Sequence, residues 1–161
     1  MRALGLILSV LCIVLAGCAG KEEVFTPEML GERTLNALST NNKEAFASYY
    51  ITPKELHEEY TPKEEGFEHY YRAKYAYNTQ NGFDSLRNGG KDRGVDWGGA
   101  KFTMVQYKVL EDKNISQADI YVFFTSAADT FVLRLANCHP LIDKGWRLFD
   151  DVSFENFPFK K

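Results

Sequence analysis

Apolar residues in the first half of the chain recur with the period of a helix. Leu30, Ala37 and Leu38 are spaced to share one helix face. Three threonine-proline pairs offer an N-cap followed by the first helical residue, and the second and third add a glutamate three residues after the cap. These pairs are Thr26-Pro27, Thr52-Pro53 and Thr61-Pro62. The pattern predicts four helices between residue 26 and about residue 81.

The fourth predicted helix, from about residue 62 to near residue 81, is crowded with aromatic side chains. Its predicted core face consists of Phe67, Tyr70, Ala73 and Tyr77. Tyr71 and Tyr75 flank that face, and one face cannot bury so many rings. We therefore expect Tyr71 and Tyr75 to bind a ligand in a pocket or on a binding surface.

A change of period follows the glycine-rich segment 87–99, which contains five glycines and is predicted to be a loop. Beyond it, apolar and polar residues alternate, which is typical of half-buried strands. The predicted strands lie near 100–110, 117–126, 129–138 and 145–154. Short turns between them predict an antiparallel meander. Helices followed by strands predict an α+β fold, with helices packed on a curved sheet of about four strands.

The first seventeen residues form a different pattern. After Met1-Arg2, the apolar run from Ala3 to Ala16 is shorter than the roughly 20 residues that span a bilayer, and it is typical of a secretory signal peptide. Leu15-Ala16-Gly17-Cys18 resembles the lipobox of bacterial lipoproteins. This resemblance implies cleavage before Cys18, a diacylglyceryl group on its sulfur and an acyl chain, such as palmitate, on its amine. The alternative is an ordinary signal peptide with a chance cysteine.

The same resemblance places the protein in the cell envelope, bound to the membrane by its lipid. Lipoproteins retained in the inner membrane tend to have aspartate after the cysteine, whereas this chain has Ala19. In a Gram-negative cell we therefore expect the periplasmic face of the outer membrane. The domain organisation is then a signal peptide (1–17), a lipidated tether (18–25) and one α+β domain (26–161).

Charge argues against nucleic acid as a partner. The 144 residues from Cys18 onward keep all 22 acidic side chains but lose Arg2, which leaves 18 basic side chains and a net charge of −4. Nucleic-acid-binding proteins carry clustered positive charge instead.

Cys138 ends an apolar strand and is predicted to be a buried, inert thiol. His57, His69 and His139 show no metal-ligand spacing, so we expect no metal and no cofactor.

Elements of both halves resemble the nuclear transport factor 2-like superfamily of the cystatin-like α+β class. An apolar helix, a polar break, a second helix with paired aromatics and a final Gly-Trp strand carry the resemblance. In this chain they are Leu35 to Leu38, Asn41-Asn42, Phe46 with Tyr49-Tyr50, and Gly145-Trp146. The resemblance implies a sheet curled around a cone-shaped cavity. Many members have Gly-Asp in the polar break, where this chain has Asn41-Asn42.

Enzymes of that superfamily, such as ketosteroid isomerase and polyketide cyclases, use acidic or histidine residues on the cavity face of the sheet. Asp119 shares a strand face with Tyr121 and Phe123 by alternation, so Asp119 and Tyr121 are the catalytic candidates. The alternative is a structural carboxylate on an edge strand.

Three classes of function remain open from the sequence. The favoured hypothesis is a non-catalytic envelope lipoprotein that binds a small apolar ligand or a protein partner. A cavity enzyme of isomerase- or hydrolase-like type and a structural envelope protein are the alternatives. An apolar cavity without a titrating group would favour the binding protein, and a buried charged pair would favour the enzyme.

Overall fold

The computed structural model describes residues 23–59, 66–112 and 115–156. The predicted signal peptide, Cys18 and the Thr61-Pro62 cap lie outside these ranges. The helices are α1 (Pro27–Ser39), α2 (Lys43–Ser48), α3 (Pro53–Glu59), α4 (Phe67–Tyr77) and α5 (Phe83–Asp92), with a π-helical turn at Asn78–Gly82 and a 3-10 turn at Trp97–Gly99.

Two of the three predicted threonine caps, those of α1 and α3, are confirmed at atomic level. The hydroxyl of Thr26 accepts a hydrogen bond from the backbone N–H of Met29 at 3.2 Å. At α3, the Thr52 hydroxyl accepts from the Glu55 N–H at 3.2 Å, and the Glu55 carboxylate accepts from the Thr52 N–H at 2.7 Å. This reciprocal pair is a capping box, which satisfies two backbone donors that a helix start leaves without partners.

The strand half forms a curved antiparallel meander, so the predicted α+β fold is confirmed. Its strands are β1 (Lys101–Asp112), β2 (Ile115–Ser126), β3 (Asp129–Leu141), β4 (Gly145–Arg147) and β5 (Val152–Glu155). The order is β1-β2-β3, and β4 and β5 both pair with β3 along its other edge. Register shifts occur in β1–β2 and in β2–β3, and such bulges bend the strands that contain them.

The fourth predicted strand is in fact two strands, β4 and β5. Between them, at Leu148, the backbone bonds to the helical half instead of to β3. The Leu148 N–H donates to the Tyr49 carbonyl at 2.8 Å, and the Ile51 N–H donates to the Leu148 carbonyl at 2.9 Å. These bonds tie the end of the sheet to the segment between α2 and α3.

Two apolar clusters hold the halves together. The larger one packs α1, α2 and α5 against one face of the sheet and includes Leu30, Ala37 and Leu38, as predicted. The smaller one consists of Ile51, Leu56, Tyr71 and Leu141. Cys138 is fully buried in the larger cluster, which confirms the predicted burial.

The loop prediction for residues 87–99 is wrong over its first half, because α5 runs through the glycines to Asp92. A Cβ on Gly90 would lie 2.4 Å from Cζ2 of Trp97, so the indole ring packs directly on the helix backbone. The indole N–H also donates to the Arg87 carbonyl at 2.9 Å. This contact stabilises helix in a segment whose local preference is against it.

The predicted core face of α4 is wrong for Tyr70, Ala73 and Tyr77, although Phe67 packs against the smaller cluster as predicted. Tyr70 and Tyr77 are 61% and 57% exposed, whereas Tyr71 is 1% exposed. The Tyr71 hydroxyl donates to the Ile51 carbonyl at 2.7 Å, and its ring stacks on Phe149 with centroids 4.8 Å apart. With aromatics on every side of the helix, this hydrogen bond and stacking decide which face is buried.

Candidate functional site

A groove lies between the helical run 78–93 and strand β5. Its volume is about 340 Å³, at the small end of the range of about 300–1,000 Å³ for ligand pockets. Most of its apolar wall is formed by Phe46, Tyr50, Tyr77, Leu86 and Phe154. Its polar side chains belong to Asn78, Ser85, Arg93, Asp151 and Ser153. It is the kind of concave, largely apolar site that binds small molecules.

The π-helical turn builds one side of this groove. It joins α4 to α5 without leaving helical dihedral angles, as at Gly82 (φ −59°) and Phe83 (φ −59°). A π turn widens the helix and changes the direction of the side chains that follow. In this case it leaves Asn78 and Leu86 on the groove wall, while Phe83 packs in the core against Phe46 at 5.2 Å between ring centroids.

One polar group on the groove wall is buried without a hydrogen-bond partner within the described ranges. Asn78 is 3% exposed, and its Nδ2 has no acceptor. The Tyr50 side chain, also 3% exposed, lines the same groove. Because buried polar groups are nearly always paired, the unpaired Asn78 nitrogen is an unusual feature of this groove.

Burial, reinforced by nearby negative charge, keeps the Tyr50 hydroxyl protonated. Burial raises the pKa of Tyr50 far above its ordinary value of 10, and the negative charges of Asp151 and Asp150 raise this pKa further. At neutral pH the Tyr50 hydroxyl is therefore a hydrogen-bond donor. The Asn78 amide nitrogen is a donor at every pH.

The groove has charged side chains at its edges. The Arg93 guanidinium lies 5.0 Å from the centre of the Phe154 ring and donates to the Gly89 carbonyl at 2.8 Å. Next to the lining residue Asp151, Asp150 forms an ion pair with Lys74 and accepts from Asn137 Nδ2 at 3.0 Å. Burial raises the pKa of Asp150, but the hydrogen bonds from Lys74 and Asn137 outweigh burial and lower this pKa overall.

Asp119, the catalytic candidate, lies outside the groove. Arg134 donates to one of its carboxylate oxygens at 2.7 Å, and the Asn137 N–H donates to the other at 2.9 Å. The edge-strand alternative is wrong, since β2 lies between β1 and β3. Tyr121 is half-buried on the same strand. A catalytic role for Asp119 and Tyr121 stays a prediction, and the bonds of Asp119 are those of a structural carboxylate.

The predicted ligand-binding tyrosines do not line the groove either. Tyr71 is buried in the smaller cluster, and Tyr75 is half-buried against both clusters. Their ligand-binding role stays a prediction. Sequence analysis missed Asn78 and Tyr50, although an asparagine at the end of an aromatic helix is a weak signal for a polar group in an apolar site.

The remaining candidate groups are dispersed. Among the described residues, no three histidine, cysteine, aspartate or glutamate side chains converge to hold a metal ion. His57 and His69 are exposed. Burial lowers the pKa of His139, and burial raises the pKa of Cys138 well above its ordinary value. The Cys138 thiol is therefore protonated and a poor nucleophile at neutral pH.

No protein-family model matches the chain, and no curated protein or solved structure is significantly similar to it. No helix within residues 23–59, 66–112 and 115–156 is long and apolar enough to cross a membrane.

Proposed function

We propose that this chain is a lipid-anchored protein of the bacterial cell envelope, whose α+β domain binds a small apolar molecule without transforming it. The observation that carries the proposal is the groove between the helical run 78–93 and β5, with its largely aromatic wall. The described groove contains no pair of converging carboxylates or histidines of the kind that acid-base catalysis requires.

The finer classification of the fold belongs to this proposal. Helices packed against one face of a curved antiparallel sheet are what a nuclear transport factor 2-like domain requires. Support also comes from the lipobox-like sequence that ends at Cys18 and from the tether before α1. Anchored in this way, the domain would bind its ligand close to the membrane surface.

The anchor is tested with Cys18→Ser. The thioether needs sulfur, so this variant should remain uncleaved and unacylated, whereas the native chain should gain the mass of its lipid. Cys138→Ser is the matched control, and it should be processed normally because Cys138 is buried in the folded domain. Intact-mass spectrometry of the native protein that shows ordinary cleavage without lipid would refute the anchor.

Groove binding is tested separately with 2-ethylnaphthalene, an apolar probe without hydrogen-bonding groups. Ser85 and Asn88 are both exposed on α5, but only Ser85 lines the groove. Ser85→Trp should fill the groove and weaken probe binding at least tenfold, while Asn88→Trp should leave binding unchanged. Equal binding by the two variants would place the probe elsewhere and contradict the proposal.

A protein partner is the second candidate, and the exposed strand β1 favours it. Phe102, Met104, Tyr107 and Val109 are 37–43% exposed along this edge of the sheet. Exposed apolar edge strands are sites where another chain can add to a sheet. Met104→Lys should abolish such an association without changing probe binding in the groove.

A further inference from the structure

The segment that leads from the predicted lipid site to the domain is fixed at its domain end. The Phe25 N–H donates to the Lys144 carbonyl at 3.1 Å, and the Phe25 carbonyl accepts from the Trp146 N–H at 2.8 Å. These bonds form a parallel bridge between Phe25 and Gly145 of β4. A Cβ on Gly145, whose φ is +71°, would lie 2.2 Å from the Phe25 carbonyl oxygen, so only glycine allows this approach. The tether therefore joins the fold at Phe25, before α1 begins.

Side chains hold the same junction. The Phe25 ring centre lies 5.1 Å from the Arg33 guanidinium and 4.4 Å from that of Arg147, at distances typical of cation–π contacts. The Phe25 ring also meets the Tyr49 ring edge to face, with centroids 5.8 Å apart. Glu23 forms an ion pair with Arg33 of α1. The part of the tether from Glu23 onward is therefore bound to the fold.

Chain length limits the distance between this junction and a lipid on Cys18. Cys18 is seven residues before Phe25, and seven residues span at most about 25 Å when fully extended. Because the bridge to Gly145 is parallel, Val24 lies on the side of the turn between β3 and β4. A lipid on Cys18 would therefore hold this end of the domain next to the bilayer.

The turn between β3 and β4 presents an isoleucine on a fixed backbone. The Lys144 N–H donates to the Leu141 carbonyl at 3.3 Å. Two glutamates of α3 hold the turn from outside, since the Ile142 N–H donates to Glu59 at 3.0 Å. Lys144 Nζ in turn donates to Glu55 at 2.6 Å. The turn is thus held on α3, while the Ile142 side chain is 75% exposed.

The exposed surface at this end is aliphatic. Among the large aliphatic side chains of the described ranges, Val24 and Ile142 are the two that are more than half exposed. Single exposed aliphatic residues are common, but both of these lie where the tether meets the fold. Lys144 in the turn and Arg33 beside the tether are each ion-paired with a glutamate. This end therefore offers a membrane apolar area rather than excess positive charge.

We propose that the end of the domain formed by Val24 and the β3–β4 turn rests on the lipid bilayer, with the Val24 and Ile142 side chains inserted at the headgroup level. The partner is a lipid surface of no particular charge, and buried aliphatic area supplies the contact. The contact can be weak in itself, because an anchored domain is held at a high effective concentration at the surface. This inference rests on the proposed function, because it requires the lipid on Cys18.

The test uses the native lipidated protein in phosphatidylcholine vesicles. Ile142→Cys and Ala128→Cys each add one exposed thiol, which is labelled with the environment-sensitive fluorophore NBD. Ala128 is the matched control, because it is exposed in the turn at the opposite end of β3, about 40 Å away along a strand of this length. Cys138 is buried, and labelling of the unsubstituted protein measures its background.

The label at residue 142 should fluoresce at shorter wavelength than the label at residue 128. Lipids with a nitroxide at headgroup level should quench it at least about threefold more strongly. Adding phosphatidylglycerol to the vesicles should leave this ratio unchanged, because aliphatic area and not charge makes the contact. Val24→Asp should lower the quenching at residue 142 at least about twofold, since a carboxylate is costly to bury. Met104→Asp, on the exposed strand β1, should leave it unchanged.

The outcomes separate the inference from the proposed function. Equal quenching of the two labels, or stronger quenching at residue 128, on protein whose intact mass includes the lipid would overturn the inference and leave the anchor in place. Quenching at residue 142 that requires phosphatidylglycerol would overturn the aliphatic contact. An intact mass without lipid would overturn the anchor and, with it, the inference.

Discussion

The helical stretch from Tyr71 to Asn78 has a buried polar side chain at each end, and the two ends differ in their hydrogen bonding. At the α4 end, Tyr71 packs against Phe149, and its hydroxyl donates to the Ile51 carbonyl. At the other end, where the π turn begins, Asn78 is similarly buried, but its Nδ2 has no partner among the described groups. The sequence places aromatic residues near both ends, so composition does not distinguish them.

The difference predicts which substitutions affect the stability of the fold and which affect ligand binding. A buried polar group that is satisfied within the chain stabilises the fold, whereas an unsatisfied one costs stability unless something else completes it. We therefore expect substitutions at the Tyr71 end to change the free energy of unfolding. Substitutions at the Asn78 end should change binding instead.

The largest effect is expected at Tyr71. Tyr71→Ala removes a buried ring and should lower the free energy of unfolding by about 3–5 kcal/mol. Tyr70→Ala and Tyr77→Ala are the matched controls on the same helix, and their exposure predicts changes within about 0.5 kcal/mol. Urea unfolding measures all three. Comparable losses at Tyr70 would mean that α4 buries its other face.

Two adjacent glycines of α5 test whether the Trp97 ring packs on the backbone of this helix. Gly90→Ala would force a Cβ to within 2.4 Å of the Trp97 ring and should destabilise by about 1–3 kcal/mol. At Gly89 the nearest atom to a new Cβ is the flexible Arg93 Nη1, at 3.4 Å. Gly89→Ala should therefore be neutral or stabilise by up to about 1 kcal/mol through helix propensity. Equal effects of the two changes in thermal unfolding would contradict the Trp97 contact.

Asp150 forms an ion pair with Lys74, which lies between Tyr71 and Asn78 on the helix. This ion pair makes the free energy of unfolding depend on pH. The pKa of Asp150 is lower when folded than when unfolded, so its contribution is present above the ordinary value of 3.8 and is lost as pH falls through the folded pKa. Asp150→Asn should cost about 1–2 kcal/mol at pH 7 and progressively less below pH 4, since the native carboxylate is then protonated too.

Glu58→Gln is the control for Asp150→Asn. The Glu58 carboxylate is exposed, and it pairs loosely with Lys54 at 3.7 Å. Exposed pairs of this kind contribute little, so the unfolding curve of Glu58→Gln should match that of the native chain at every pH. A constant deficit of Asp150→Asn from pH 7 to pH 2 would mean that the ion pair with Lys74 contributes nothing.

The smallest effect on stability is expected at Asn78. Asn78→Leu replaces an amide whose nitrogen is unpaired with an apolar group of similar volume and should leave the free energy of unfolding within about 1 kcal/mol of the native value, or raise it. Chemical unfolding without ligand is the measurement. A loss of more than about 2 kcal/mol would show that the amide has a partner and that the two ends of the helical run are alike.

Local signals gave correct predictions where the deciding contacts are also local. The Thr26 and Thr52 caps formed as predicted, because a cap joins residues three apart. The alternating segments formed an antiparallel meander for a similar reason, since short turns bring consecutive strands together. The candidate site was not predictable in this way, because its wall combines α2, the helical run 78–93 and β5.

The sequence by itself therefore determined the helix starts at Thr26 and Thr52, the succession of a helical half and a strand half, the burial of Cys138 and the hypothesis of a lipid anchor at Cys18. Tertiary structure decided which tyrosines of α4 are buried, that α5 continues through Gly89 and Gly90, and that the last predicted strand divides into β4 and β5. Each of these depends on contacts between distant segments, such as Tyr71 with Ile51 or Leu148 with Tyr49. No local propensity encodes them, because their free energy exists only once the helices and the sheet have packed together.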